Sequence, residues 1–391
     1  MAISLKRKNR KPKNAASARQ WAITLTIVAL GIWAFFTYLF DKTPDAVQAW
    51  FQVWLPPSTL NESLVWVICA LGLNIVVGYA GLLDLGFVAF WAFGGYAAGW
   101  FMSGFFNQVN IHFGSMSAKT IPGIHLSFWL VMIIAALIAG FFGIIIGAPT
   151  LRLKSDYLAL VTLGFGEIIP QVFTNGENIG GFNLSNGTKG ISPVDAIGVL
   201  GKRLGPFDLG WKFLIYFFLA ACMVFVSLRI RGGRLGRAWL AIREDELAAS
   251  MMGVPLMRTK LTAYAVGAFS GGIGGAVYAT HVNGIFAERF NFSISIILLA
   301  MVVLGGMGNV WGVIVGALLM AWINATGLPA IGDTFNNTFH TEINFPSYNF
   351  LLFGGILVLM MLYKRDGLLP EARLKMISHE NDDEASNTGG H

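Results

Sequence analysis

The fold of this protein is decided by one segment near its middle, residues 126–149, which reads LSFWLVMIIAALIAGFFGIIIGAP. No charged side chain interrupts this segment. A helix needs about 20 apolar residues to cross the hydrocarbon core of a bilayer. The segment is long enough for this, so it predicts a membrane-spanning helix.

The rest of the chain has the same character. Of its 391 residues 55% are hydrophobic and only 12% are charged, whereas a soluble domain is usually about 25% charged. The apolar residues form further blocks, and we therefore predict an all-α, polytopic transmembrane helical bundle of about ten spans. The predicted spans are 21–40, 63–83, 86–106, 126–149, 157–173, 212–230, 261–281, 293–306, 310–325 and 347–363.

The distribution of Lys and Arg predicts the side of the membrane on which each loop lies. If residues 1–20 are cytoplasmic and the spans alternate, 20 of the 27 Lys and Arg residues lie on the cytoplasmic side, as the positive-inside rule requires. Both termini are then cytoplasmic, and the long segment 174–211 is the best candidate for an external contact surface. Residues 1–20 form a basic cytoplasmic tail, 21–365 the membrane domain, and 366–391 a polar tail that we expect to be disordered.

Motifs of several enzyme classes are absent from the sequence. It contains no G-x-x-x-x-G-K-[S/T], G-x-S-x-G or H-E-x-x-H pattern, which are signatures of ATP hydrolysis, serine hydrolases and zinc proteases. The six His and two Cys residues show no metal-ligand spacing. We therefore expect no catalytic activity, no metal and no cofactor. The net positive charge is explained by topology rather than by nucleic-acid binding.

One predicted cytoplasmic loop, residues 231–258, contains an amphipathic pattern. Leu240, Leu247 and Met251 recur at spacings of seven and four, which predicts one short helix, and Gly253 is suited to end it. The pattern alone fits a knob that enters a groove of a partner protein, and it also fits an ordinary solvated loop. The polar and small residues of this helix are Arg243, Glu244, Asp245, Glu246, Ala248 and Ala249.

The same loop resembles the ATPase-coupling segment of ATP-binding cassette importer permeases, whose consensus is E-A-A-x-x-x-G. Ala248-Ala249-x-x-x-Gly253 fits, whereas Leu247 stands in place of the consensus Glu, Glu246 is displaced by one position, and the downstream I-x-L-P is missing. This form is similar to that of the branched-chain amino acid permeases. Three further stretches extend the resemblance over about residues 65–325, namely Ala70–Gly86, Leu151–Ile168 and Val303–Gly312.

The resemblance implies the longer permease subunit of an importer in the inner membrane of a prokaryote. Such an importer also contains a second permease subunit, with a heterodimer expected, two cytoplasmic ATPase subunits and an external or periplasmic solute-binding protein. This chain would form half of the pathway for leucine, isoleucine and valine, and the ATPases would push on the coupling loop. Sister permeases of similar pattern carry urea and short amides, which leaves a second substrate class open.

Polar residues and glycines interrupt several spans, and a charge at the bilayer centre costs about 2.5–3.5 kcal/mol. Asn74 could form a hydrogen bond between helices or bind the substrate. Asp84 could cap the third span or belong to the pathway. Glu167 lies between Gly164-x-Gly166 and Pro170, which predicts a broken helix. Its alternatives are a pathway or gating role and a buried hydrogen bond. Residues 305–309 fit a tight turn between two helices or a break in a re-entrant hairpin.

Two other function classes remain as alternatives from the sequence alone. An autonomous secondary transporter would need coupling charges at the midplane and inverted repeats. The sequence offers Glu167 and only a faint similarity between 82–96 and 304–317. A membrane-embedded enzyme would need clustered His, Asp or Glu, and the sequence shows no such cluster.

Overall fold

A computed structural model describes residues 27–115, 120–153, 155–199, 201–205, 208–364 and 367–369. The predicted basic tail and nearly all of the predicted polar tail lie outside these residues. The described part is mostly helical. Its helices are α1 (Ile27–Leu39), α2 (Asp45–Trp54), α3 (Pro57–Asn74), α4 (Phe87–Phe101), α5 (Phe128–Thr150), α6 (Ser155–Thr174), α7 (Leu209–Gly232), α8 (Arg234–Glu244), α9 (Glu246–Met251), α10 (Leu256–Val282), α11 (Phe292–Gly305), α12 (Val310–Trp322), α13 (Leu328–Phe339) and α14 (Asn349–Tyr363).

The prediction of a polytopic helical membrane protein is confirmed. Each predicted span coincides with a helix of the described part. Seven helical segments there are long and apolar enough to cross a membrane, and α1 and α4 are shorter apolar helices. Helix α10 has 27 residues and carries Arg258 and Lys260 close to its start.

Helix α10 lies at the centre of the bundle, in contact with α3, α4 and α5. Its middle reads Gly271-Gly272-Ile273-Gly274-Gly275, and small residues let helix backbones approach closely in lipid. A Cβ atom at Gly275 would overlap the carbonyl oxygen of Trp91 in α4. One at Gly272 would lie 2.5 Å from the carbonyl oxygen of Ala135 in α5. The three helices are therefore in backbone contact, which a larger residue at either glycine prevents.

The segment between residues 293 and 346 departs in part from the prediction. Helices α11 and α12 are joined by a tight turn, in which Gly306 and Gly308 have φ values of 113° and 85°, so the turn interpretation is confirmed. Residues 326–346, which separate two predicted spans, are not a loop throughout, because α12 continues through a π-helical turn, Ile323–Gly327, into α13. Pro329 lies directly after this π-turn and does not end the helix, which continues to Phe339.

Short strands, which the sequence did not predict, form a cap at the C-terminal end of α4. Strands β1 (Met102–Ser103), β2 (Asn110–Phe113) and β3 (Gly123–Leu126) make one sheet in the order β1-β3-β2, and β4 (Ile197–Val199) pairs with β5 (Lys202–Leu204). We define the cap as residues 102–115, 120–126, 175–199, 201–205 and 283–291.

Two buried contacts hold the segments of the cap together. The His125 ring nitrogen Nδ1 and the Asp195 carboxylate oxygen Oδ2 are 2.7 Å apart, which links the segment after α4 to the segment after α6. Ile191 forms a β-bridge with Ile285, which adds the segment between α10 and α11. The cap encloses an open cavity of about 1080 Å³.

We expect the close packing of α10 to determine whether the bundle forms. Gly275→Leu places a side chain against the α4 backbone, and it should lower the free energy of unfolding by more than about 3 kcal/mol, beyond the usual cost of overpacking. Gly354→Leu is the matched control, because nothing lies within 4 Å of a Cβ atom at Gly354 in α14. The measurement is thermal unfolding of both purified variants in detergent. Equal melting temperatures would show that α10 is not packed as described.

Candidate functional site

The predicted coupling loop folds as two helices rather than one. Helix α8 ends at Glu244, and Asp245 is extended, with φ −156° and ψ 113°. Its carboxylate accepts hydrogen bonds from the N–H groups of Leu247 and Ala248, at 2.8 and 3.0 Å. Asp245 is therefore the N-cap of α9. The single-helix prediction is wrong, because the spacing of the apolar residues is the same whether or not a capping residue divides the helix.

The tip of this loop is apolar and exposed. Leu247, Met251 and Met252 are 68%, 79% and 85% exposed, and we call these three residues the apolar tip. Leu240 is not part of it, because it lies half-buried in α8. Gly253 follows α9 with φ 83°, a conformation that disfavours any side chain. The loop therefore presents a small hydrophobic surface whose direction depends on Gly253.

Two contacts attach the loop to the start of α10. The Trp239 indole N–H donates to the carbonyl oxygen of Thr259 at 2.9 Å. The Glu246 carboxylate pairs with the Lys260 ammonium group at 2.6 Å. Trp239 is fully buried and Lys260 nearly so, so α8 and α9 are joined to α10 rather than free in solution.

A third contact joins the loop to the segment between α3 and α4, Ile75–Gly86, which we call the α3–α4 linker. The linker begins with a π-helical turn, Ile75–Tyr79. Arg243 of α8 donates a hydrogen bond from its guanidinium to the carbonyl oxygen of Gly78 in this turn. Gly81 has φ 68°, and a Cβ atom there would lie 2.9 Å from Cγ of Arg243. A π-turn often marks a functional site, and here it meets the coupling loop directly.

Asn74 also connects this region to a distant part of the chain. Its side-chain oxygen accepts a hydrogen bond from the N–H of Gly308 at 2.9 Å, which joins the end of α3 to the turn between α11 and α12. Asn74 has no exposed surface. The contact corresponds to the interhelical hydrogen bond that we gave as one interpretation.

Asp84 lies in the α3–α4 linker and is completely buried. Its oxygen Oδ1 accepts hydrogen bonds from the N–H of Gly86 at 2.9 Å and from the hydroxyl of Tyr264 in α10 at 3.4 Å. Burial raises the pKa of Asp84 to about 6, and the two hydrogen bonds act in the opposite direction. Asp84 therefore organises the chain just before α4, although Gly86 is the N-cap of that helix and no side chain caps it.

Helix α6 also contacts the α3–α4 linker. The N–H of Leu85 donates to the hydroxyl oxygen of Thr162 at 3.1 Å, and Gly86 lies against the Thr162 carbonyl. Thr162 lies in the stretch Leu151–Ile168. The coupling loop and the stretches Leu151–Ile168 and Val303–Gly312, on which the sequence resemblance rested, therefore all contact the fourth stretch, Ala70–Gly86, at or beside this linker. The predicted site residues did not include five that make these contacts, although Thr162 lay within a quoted stretch. They are Thr162, Trp239, Thr259, Lys260 and Tyr264.

Glu167 lies apart from this meeting point. Helix α6 is continuous from Ser155 to Thr174, with Pro170 inside it, so the predicted broken helix is wrong. Pro170 removes only one main-chain hydrogen bond, the one that would reach the carbonyl of Gly166. Glu167 is exposed on the outer face of α6, and it makes no hydrogen bond or ion pair with the described residues.

Comparison with known proteins identifies the family of this chain. Residues 56–361 match the family described as the branched-chain amino acid transport system, permease component. The chain belongs to this permease family. It is 35% identical to the high-affinity branched-chain amino acid transport system permease protein LivM of Escherichia coli over 332 residues, which is 80% of this chain and 69% of that protein.

Other relatives are more distant. The probable branched-chain amino acid transport permease protein LivM of Methanocaldococcus jannaschii is 26% identical over 78% of this chain and 91% of that protein. The xylose/arabinose import permease protein XylH of Sulfolobus acidocaldarius is 26% identical over 62% of this chain and 61% of that protein. No solved structure matches this chain.

Proposed function

We propose that this chain is the permease subunit of an ATP-binding cassette importer and forms half of a translocation pathway for leucine, isoleucine and valine. The substrate class follows the names of the two relatives called LivM. We place the chain in the inner membrane of a prokaryote, with α8 and α9 on the cytoplasmic side and the cap outside. The observation that carries the proposal is the hydrogen bond from Arg243 to Gly78, which connects an exposed helical tip to the interior of the bundle.

The apolar tip is suited to dock into a groove of an ATPase subunit. Fully burying an exposed Leu or Met side chain contributes about 1.5–3 kcal/mol, and methionine adapts its shape to an irregular groove. Of the exposed charges beside the tip, Asp245 caps α9 and Glu246 pairs with Lys260, so Glu244 is the acid suited to contact the ATPase. An ion pair at an exposed position contributes less than about 1 kcal/mol, so it orients the contact rather than holds it.

The contacts behind the tip explain how movement of an ATPase would reach the pathway. Arg243 passes the movement to the α3–α4 linker, while Trp239 and Glu246 pass it to α10. Beside the linker, Asn74 at the end of α3 contacts the turn between α11 and α12, and Leu85 of the linker contacts Thr162 in α6. Since these contacts are short and are buried or partly buried, we infer that α8, α9 and the linker move as one body.

We infer the remaining parts of the importer from the permease family to which the chain belongs. Two ATPase subunits supply the energy, because the sequence has no phosphate-binding loop of its own. A second permease subunit completes the pathway, and a solute-binding protein delivers the substrate to the cap. The chain itself transports rather than catalyses. The urea and amide alternative is less favoured, since the relatives that match over most of their length carry branched-chain amino acid names.

Reconstitution into liposomes tests the proposal. The complete assembly, made with the ATPases, second permease and binding protein of the same importer, should accumulate labelled leucine when ATP is supplied to the ATPase side. The chain alone should show neither ATP hydrolysis nor accumulation. Accumulation by the chain alone, driven by an ion gradient, would instead show an autonomous secondary transporter.

We further expect Gly253→Val to uncouple the importer. Valine at φ 83° is strained by roughly 1–2 kcal/mol, so the end of α9 should change direction and move the apolar tip. Membrane insertion should be retained, while ATPase co-purification and leucine uptake are lost. Gly232→Val is the matched control, because a Cβ atom at Gly232 meets nothing within 4 Å and its φ is not positive. Normal uptake by Gly253→Val would mean that the loop is only a connector.

A further inference from the structure

Exposed polar side chains form a row along helix α6 and at the residue that follows it. Glu167 and Gln171 are four residues apart and lie one above the other on one face of α6, and Asn175 follows four residues later in the turn after the helix. We call these three residues the polar stripe. It lines a shallow groove of about 470 Å³ together with Ile168, Val172 and Ile179.

This face does not suit contact with lipid. Residues Tyr157–Thr174 form one of the candidate membrane spans, and Glu167 lies about 18 Å along the axis from the start of α6 at Ser155. A carboxylate at that depth is costly in hydrocarbon and normally faces a water-filled cavity or a charged partner. Among the described residues Glu167 has neither, so its carboxylate is open there to a bound solute or to another subunit.

The groove beside the carboxylate is open. Gly164 lies one turn before Glu167, and a Cβ atom at Gly164 would meet nothing within 4 Å. Exposed positions closer to the start of α6, Tyr157 and Leu160, are apolar. The polar part of the face is therefore confined to the half of α6 that leads to the cap, where a solute released at the cap would first enter the membrane region.

We propose that the polar stripe is a subsite of the translocation pathway that binds the ammonium group of the solute. The inference rests on the proposed function and adds the chemistry of the pathway to it. The Glu167 carboxylate accepts charge-assisted hydrogen bonds from the ammonium group. The amide groups of Gln171 and Asn175 offer donors to the solute carboxylate and acceptors to its remaining N–H groups. The neighbouring Ile168 and Val172 suit an aliphatic side chain.

This assignment separates the two substrate classes that the sequence left open. A zwitterionic amino acid offers a positive charge to Glu167, whereas urea and short amides are uncharged and leave the carboxylate without a counter-charge. A carboxylate within a membrane span is costly when no opposite charge accompanies it. The stripe therefore favours amino acids over amides within the pathway itself, in addition to any selection by a binding protein.

The test compares Glu167→Gln, Glu167→Asp and the control Asp333→Asn in the complete assembly in liposomes. Asp333 is also an exposed acid on a helix, but it lies in α13, outside the cap and the polar stripe. We expect Glu167→Gln to lower the rate of leucine uptake by roughly tenfold or more, the effect of losing one charge-assisted hydrogen bond. ATP hydrolysis stimulated by the loaded binding protein should remain, Glu167→Asp should recover part of the uptake, and Asp333→Asn should behave as the unmodified protein.

A second arm asks whether the stripe is in contact with water. In a chain without Cys69 and Cys222, Gln171→Cys should react with a water-soluble cationic thiol reagent, and leucine with its binding protein should slow the reaction. Leu137→Cys, at an exposed position of α5, should not react.

The outcomes separate this inference from the proposed function. If the unmodified assembly shows no ATP-dependent uptake, the proposed function fails. If it transports and Glu167→Gln transports equally well, only the ammonium subsite is overturned. If Glu167→Gln no longer co-purifies with the second permease, or Gln171→Cys is unreactive, the stripe is a contact between permease subunits and not a solute site.

Discussion

The structure depends on the direct contact between the backbones of α10, α4 and α5. In a bilayer, an apolar side chain gains little by moving from lipid to a neighbouring helix, because both are apolar. Van der Waals contact between closely packed helices must therefore hold the bundle together. Gly272 and Gly275 provide this contact, because each faces a main-chain carbonyl of a neighbouring helix. Since three helices meet without intervening side chains, a displacement at the start of α10 is transmitted along the bundle with little local compression.

The α3–α4 linker is the second element on which function depends. It joins helices through polar contacts, which are rare within membrane bundles and specific in geometry. Asn74 Oδ1 and Asp84 Oδ1 have partners, whereas Asn74 Nδ2 and Asp84 Oδ2 are buried without one in the described part of the chain. A buried unpaired polar atom costs about 1–3 kcal/mol. The linker and the end of α3 are therefore held by some polar contacts and left incompletely satisfied by others.

The sequence predicted the spans well because a membrane helix is defined by a local property, a run of apolar residues. It predicted the ends of helices less well. Asp245 was placed inside one helix although it caps a second, because Asp occurs in caps, helices and loops, and only the neighbouring chain decides between them. The break predicted at Pro170 was wrong, because a helix tolerates the loss of one main-chain hydrogen bond when surrounding helices hold the segment.

The candidate site was predictable in its parts but not in its assembly. Local patterns identified Arg243, Asn74 and Asp84, yet the contact between Asn74 and Gly308 joins residues 234 positions apart. No single-sequence pattern encodes such a pairing. The exposure of Glu167 was equally hidden, because periodicity gives the face of a helix but not what lies opposite that face. The short strands of the cap have too few residues to show an alternating pattern.

The central claim is that α8, α9 and the α3–α4 linker move as one body when the ATPases close. Distances between pairs of spin labels in the assembled importer test it most directly. Labels replace exposed Met252 beyond α9, Leu83 in the linker and Ile111 in the cap, with Cys69 and Cys222 removed. When ATP binds, the distance from Met252 to Leu83 should stay constant while the distance from Met252 to Ile111 changes. A change between Met252 and Leu83, with the distance from Leu83 to Ile111 constant, would contradict the account.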